Sequence, residues 1–449
     1  MEARSILFVA LFSLFSVFFL TGYPILSWQK LKVPILTGLA FCLGSGMLIQ
    51  FLIFLILQRL NLMWLPAIAL ILIGFYFFLK DLSKGNKPFE SDLPKEVYPG
   101  LIAIIIFYAS ALIVEPIGGW DPTAIWFLSA KMVYSAGTLG LDAGWLDSSL
   151  NSSFHTDYPK LFAAVTGVCM KILGRWDEYL PKLGFLFLLI PGWLWLASFY
   201  QRKFSFLFLI LVFLSVTGNS FWGGYLDGYL VFYFGLTILL AARYLRTCAP
   251  IDLYSALAAA SIMTNLKNEG IVMGLALAAG TIFIFRPKLK KMWVGTLVFV
   301  PAGVWFLLKH FWKLQNYLGQ IHSDPTHSFS ARVIDPASLR LIFDALVLKN
   351  HPVRDAVLIT ILLKVILRFG FKLKAGATKQ VQLWICFTAS FYFICLFTVY
   401  LATPFDLGWH LSTSVDRTSL PFELAAYLIA FMSIASVDRE TPLVLKRSD

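Results

Sequence analysis

Apolar runs of about 17 to 25 residues recur from one end of this chain to the other, each long enough to cross a hydrocarbon layer as an α-helix. They lie at roughly 5–22, 34–57, 61–79, 99–115, 183–200, 204–218, 225–242, 251–265, 269–286, 292–309, 353–369, 380–402 and 419–437. The fold class they dictate is an all-α polytopic membrane protein, a bundle of about 13 transmembrane helices. Composition agrees: 59% of the 449 residues are hydrophobic and 14% are charged, where a soluble domain carries about 25% charged residues. The first run leads into Thr21-Gly22-Tyr23-Pro24 with no small-residue cleavage site, so it reads as a retained helix rather than a signal peptide.

The net charge of +12 does not point to nucleic acid. The basic residues sit in short clusters between apolar runs: Arg202-Lys203, Arg243 with Arg246, Arg286 to Lys291, Lys372 to Lys379, and Arg439 with Lys446 and Arg447. Membrane proteins keep such clusters in the cytoplasm. The segment 81–98, with Lys84, Lys87 and Lys95, reads as a cytoplasmic loop for the same reason. This places 116–182, 310–352 and 403–418 outside. Within the outer loop, 160–173 is apolar but too short to span, and reads as an amphipathic or half-embedded juxtamembrane helix. The chain divides into an N-terminal three-helix module (1–80), the loop 81–98, a membrane core (99–309, with outer loop 116–182), an outer loop (310–352) and C-terminal helices (353–449). The five cysteines show neither metal spacing nor a disulfide framework.

All six histidines, His155, His310, His322, His327, His351 and His410, fall on the inferred outer side. A transporter keeps its polar residues near mid-span. Chemistry gathered at one face favours an enzyme working at that interface. The first candidate is Asp121, in Gly118-Gly119-Trp120-Asp121-Pro122, with Trp126 close behind. A carboxylate between interfacial indoles is placed to act as a general base; Asp121-Pro122 is equally a helix start, with the acid as its cap. His155-Thr156-Asp157-Tyr158-Pro159 could ligate a metal, hold a phosphate and its sugar, or form a capped turn. Asp227 starts an apolar run as a site residue or a cap. Lys267 and Glu269 interrupt two runs and must pair or face a cavity. Trp409-His410 and Asp416-Arg417 precede the last run. There Arg417 either clamps a phosphate or snorkels to the interface. The loop 310–352, with its stretch His322 to His327, could cover the site or be a plain polar loop.

Together these stretches resemble the GT-C type membrane glycosyltransferases that use polyprenyl-phosphate sugars, close to the protein mannosyltransferase and aminoarabinose transferase branch. Trp120-Asp121, with Trp126 and Lys131 beyond it, resembles the first outer loop, where that family keeps its catalytic aspartate. His155 to Leu161 resembles the segment that opens the juxtamembrane helix. Asp227 resembles a later membrane-edge acid, Lys267 to Gly270 a lysine-bearing break between spans, and Arg417 a late outer-face basic residue. The resemblance covers roughly 99–310 and, more loosely, 380–437. It implies an inverting sugar transfer at the outer face of a bacterial cytoplasmic membrane, with Asp121 as base. Lys267, Arg417, His155 and Lys131 would hold the donor phosphate, and Trp120, Trp126, Asp157, Tyr158, Asp227, Glu269 and His410 would support the site. The partners implied are the bilayer, the lipid-linked sugar donor and an acceptor that is a lipid, a glycan or a protein. A divalent metal stays open because Pro122 stands where many relatives carry a second acid. Its ligands would be Asp121, His155 and Asp157. The competing readings are an O-antigen ligase or polymerase using a diphosphate-linked glycan, drawing on Lys313, Arg332, Arg340 and Lys349, and a lipid or solute transporter.

Overall fold

The computed structural model describes residues 3–28, 33–86, 89–90, 95, 97–113, 116–139, 155–199, 203–285, 289–314, 329–371 and 377–437. Asp142, Asp147, the segment His322 to His327 and the basic residues Lys87, Arg202, Arg286, Lys288, Lys372, Lys374, Arg439, Lys446 and Arg447 lie outside the described residues.

The chain is an all-α membrane protein. Six described helices are long and apolar enough to cross a bilayer: Ile35–Leu57, Leu60–Ser83, Leu226–Thr247, Asn268–Phe285, Trp293–Phe311 and Lys379–Leu401. Five further apolar helices, among them Lys182–Ala197, have shorter described lengths. The non-helical pairing is minor: Val33–Pro34 lies parallel to Phe89–Glu90 and ties the segment after 81 back to the N-terminal module.

Three helices open the chain: α1 (Ala3–Trp28), α2 (Ile35–Leu57) and α3 (Leu60–Ser83). Their sequences are apolar all round, so amphipathicity cannot choose their faces; small residues do. A Cβ on Gly46 of α2 would overlap the carbonyl oxygen of Phe18 on α1, and one on Gly74 of α3 would overlap that of Leu20. Glycine at these places lets backbones touch. The helices then diverge in environment. The most apolar stretch of α2 is 72% buried and that of α3 only 11%, which makes α2 part of the core and α3 a lipid-facing flank.

After α4 (Val97–Ile113) a π-helical turn, Asp121–Phe127, runs directly into α5 (Leu128–Ala136). The 13-residue α6 (Leu161–Leu173) packs against α5. It is buried on most of its circumference, including Leu161 to Gly167, so of the two forms expected, amphipathic or half-embedded, it takes the embedded one. The core then runs through α7 (Lys182–Ala197), α8 (Lys203–Gly223), α9 (Leu226–Thr247), α10 (Pro250–Thr264) and α11 (Asn268–Phe285). Then α12 (Leu289–Thr296) and α13 (Val300–Phe311), joined by the 3-10 turn Leu297–Phe299, together form the span Trp293–Phe311.

Two segments expected as loops are helical in part. From Phe329 the segment 310–352 forms α14 (Phe329–Ile334), α15 (Pro336–Phe343) and a π-turn (Asp344–Leu348). The segment 403–418 carries α18 (Leu407–Thr418), between α17 (Ala377–Leu401) and the last helix, α19 (Leu420–Val437), while α16 (His351–Phe371) precedes α17. Asp406 caps α18 by accepting from the Trp409 N–H at 2.8 Å. An apolar-run reading passes over such a polar helix.

Candidate functional site

A cavity of about 720 Å³ opens where the π-turn, α9, α11, α17 and α18 meet. Of the residues singled out from sequence, Trp120, Asp121, Trp126, His155, Tyr158, Asp227, Lys267, Glu269, His410 and Arg417 all line it.

Its floor is a chain of alternating charge. Arg417 forms an ion pair with Asp121, and its Nη1 lies 3.8 Å from Asp227 Oδ2. Lys267 Nζ reaches Asp227 Oδ1 at 2.8 Å and Glu269 Oε1 at 3.2 Å. Three carboxylates thus face two cations. Asp227 and Lys267 are each 7% exposed at the side chain, a depth at which a lone charge is untenable and a paired one is retained. Aromatic faces complete the cation environment: Arg417 lies over Tyr225, and Lys267 over both Trp126 and Tyr158.

The geometry removes the capping and snorkelling alternatives left open by the sequence. Asp121 does not cap its helix: Trp120 takes that place and no side chain bonds the first turn. Its carboxylate turns to Arg417 instead. Asp227 likewise lies inside the first turn of α9, with Tyr225 at the cap and no capping side chain. Arg417 points inward to the acids and does not snorkel. The approach to Asp121 needs Gly119, whose φ of +84° suits glycine and whose missing Cβ leaves room for the Tyr225 hydroxyl.

Three rings form one wall. Trp126 stacks on Tyr158 with centroids 5.1 Å apart, and Tyr158 stacks on His155 at 5.0 Å. Burial pushes His155 below its ordinary pKa. Burial, aided by Arg332 and Arg417, lowers His410, on α18, to about 4. Both imidazoles are therefore neutral near pH 7. Trp126 Nε1 and Glu269 Oε2 are buried without a hydrogen-bond partner among the described residues. They present a donor and an acceptor in the same cavity.

Two expected site residues are placed elsewhere. Lys131 is exposed on α5 and does not line the cavity. It lies ten residues past Asp121, about 15 Å along the helix, too far to share one phosphate. Asp157 is buried behind the wall, where it accepts from Lys309 Nζ and Asn268 Nδ2, each at 2.9 Å. Its backbone carbonyl accepts from Trp305 Nε1 at 3.1 Å. Asp157 therefore anchors α11 and α13 to the start of α6. The metal ligand set Asp121, His155 and Asp157 does not fit: Asp121 is engaged by Arg417, Asp157 by Lys309 and Asn268, and the described residues contain no metal-competent group of three or more such side chains. None of the basic residues behind the diphosphate reading lines the cavity, though Arg332 stands close enough to act on His410. Arg332 donates to the carbonyls of Thr403 and Phe405, and Arg340 is on the surface near Asp344.

The sequence reading missed Tyr392 and Tyr400, both on the cavity wall. Tyr400 meets Ser414 at 2.9 Å and Thr418 at 2.8 Å, joining α17 to α18. Their signal was present: two hydroxyls eight residues apart in an apolar run share a helix face.

Site and fold together define a class: an integral membrane protein with an ion-paired cavity where its helices end. Comparison with protein-family models, with curated proteins and with solved structures finds no match for this chain.

Proposed function

We propose that the cavity is the active site of a GT-C-like glycosyltransferase that takes its sugar from a polyprenyl-phosphate donor. The observation that carries this reading is the Asp121–Arg417 pair lining the cavity. It joins a carboxylate able to act as base to the cation best placed to receive a phosphate. Arg417 is 29% exposed at the side chain, against 7% for Lys267. Lys267 is held by two acids. The phosphate role therefore falls to Arg417, and Lys267 fixes the positions of Asp227 and Glu269.

A donor phosphate entering a cavity with three carboxylates must draw a cation to itself. Arg417 provides it by exchanging Asp121 for the phosphate, a bidentate partner for its guanidinium. The exchange leaves Asp121 free at the moment the donor is bound. Asp121 then takes the proton of the acceptor hydroxyl or amine. The nucleophile bonds to the anomeric carbon from the face opposite the phosphate, and the carbon–oxygen bond to phosphate breaks. Polyprenyl phosphate leaves with its new charge on Arg417. Trp126 Nε1 and Glu269 Oε2 supply hydrogen bonds to the sugar.

In this reading the remaining apolar helices also span, giving the thirteen crossings expected. The cavity faces the outer side of a bacterial cytoplasmic membrane. Arg243, 16 residues after Asp227 on α9 and about 24 Å away along the helix, is bonded to Asp252 and Ser198 at the cytoplasmic end. The test is sugar release from radiolabelled polyprenyl-phosphate sugars by the purified protein. Release by the wild type and its loss in Asp121→Asn support the reading. A folded wild type that releases no sugar from any monophosphate donor overturns it and leaves the diphosphate-donor and transport readings.

A further inference from the structure

A second cavity, also of about 720 Å³, lies apart from the first, between the N-terminal module and the α5–α6 pair. Phe18 of α1, Phe51 and Phe54 of α2, Ile68 of α3 and Val165 of α6 give it an apolar interior. Its volume is that of a built ligand site, about 300–1,000 Å³. Two cations, Arg59 and Lys171, stand on its lining, and no acid does among the described residues.

Backbone contacts fix the main chain at Arg59 and the ammonium of Lys171. Arg59 is bridged to Thr138 in an antiparallel pair, and Leu60 N–H donates to Gly137 O at 2.8 Å. This fixes the α2–α3 turn against the end of α5. Lys171 Nζ donates to Tyr134 O at 3.1 Å and sits 5.9 Å from the centre of the Tyr134 ring. Neither forms a salt bridge to an acid among the described residues. Exposed Trp64 also lines the cavity, an indole of the kind found at the headgroup level of a bilayer. Because α3 is so little buried, its side of the cavity borders lipid.

From these features the geometry points to a binding site for one anionic membrane phospholipid, with an acyl chain in the apolar interior and its phosphate on Arg59 and Lys171. The chain buries apolar surface that a void would leave without contacts. The headgroup meets cations that pair with no acid among the described residues, at the membrane edge, where each adds attraction to anionic lipid. The site is not a second view of the proposed active site. Thr138, beside Arg59, lies 17 residues beyond Asp121 on a nearly continuous helical path, about 25 Å away. A lipid bound there wedges the N-terminal module against α5, which continues from the turn carrying Asp121, and α6, which follows Tyr158.

The experiment is native mass spectrometry of the delipidated full chain in mild detergent, titrated with phosphatidylglycerol or with phosphatidylcholine. We expect one phosphatidylglycerol retained per chain, at least tenfold more tightly than phosphatidylcholine. Retention should fall at least tenfold in Arg59→Glu/Lys171→Glu, a pair of exposed substitutions that leave the interior intact. Val168→Trp, which fills the cavity, should abolish it. Equal retention of the two lipids, or unchanged retention in the charge-reversed variant, overturns the proposal. So does full displacement by inorganic phosphate, which would mark a site for the anion alone. Asp121→Asn and Arg417→Ala should bind the lipid as the wild type does; loss in either would place the lipid in the first cavity and sink the second.

Discussion

Arg417, in the last turn of α18, closes onto Asp121, 296 positions earlier in the chain. The two residues come from different elements of the cavity, and Asp227 also stands 3.8 Å from the same guanidinium. If the pair opens to admit a phosphate, its two halves should fail differently. Asp121→Asn should lower the rate of transfer by about 10²–10⁴-fold, the usual contribution of a general base, with donor affinity kept or improved because Arg417 is released. Arg417→Ala should instead raise the donor KM at least tenfold. Steady-state kinetics with a defined donor separates the two, and equal effects on KM in both variants would refute the exchange.

The buried pair Asp227–Lys267 makes a thermodynamic prediction. Removing one partner leaves a buried charge uncompensated, at a cost of about 3–5 kcal/mol. Lys267→Met should cost that much, or more, because Glu269 also loses its cation. The double variant Asp227→Leu/Lys267→Met should recover part of the loss. Thermal unfolding in detergent, arranged as a double-mutant cycle, checks this; simple additivity would argue against direct coupling.

Asp157 is assigned to structure and not to chemistry. Asp157→Asn should destabilise the fold by about 3–5 kcal/mol by stranding Lys309, and the folded fraction should keep its catalytic rate. Lys309→Met should reproduce the loss of stability. A well-folded Asp157→Asn protein with transfer reduced a hundredfold would return Asp157 to the reacting site.

His410 gives a pH dependence. Its folded pKa, about 4, lies below the ordinary histidine value of about 6.5. Between these values the unfolded chain binds a proton that the folded chain does not, so stability rises with pH through this window and is lost as pH falls from 6.5 towards 4. Burial pushes His155 in the same direction. The melting temperature should drop between pH 7 and pH 5, and the drop should be smaller in His410→Gln. An identical drop in that variant would show that other groups set the slope.

Helix contact in the N-terminal module rests on glycine. Gly46→Leu would drive a side chain into the Phe18 carbonyl, and Gly74→Leu one into that of Leu20. Either should separate α1 from its neighbour and expose the module to proteolysis, while Gly218→Leu, at a glycine with open space around it, should be tolerated. Limited digestion in detergent distinguishes them.

What the sequence alone determined was local in origin. A run of apolar residues must be helical in lipid whatever surrounds it, because only the helix satisfies its own backbone there; the expected segments from 183 to 309 accordingly fall on α7 to α13. Charged residues at run ends were equally legible, since a charge so near hydrocarbon needs a reason to be there. That is how Asp121, Asp227, Lys267, Glu269 and Arg417 could be picked out. Their pairing was not legible. Partners 40 and 296 residues apart meet only because helices pack side by side, and apolar helices choose their faces by glycine contacts and shape rather than by a polar stripe. For the same reason Lys131 looked like a phosphate ligand and was turned elsewhere by folding, while Asp157, expected to support the site, anchors its wall from behind. The polar helix α18 was hidden because its stability comes from docking onto α17 through Tyr400, Ser414 and Thr418, contacts that exist only in the tertiary structure.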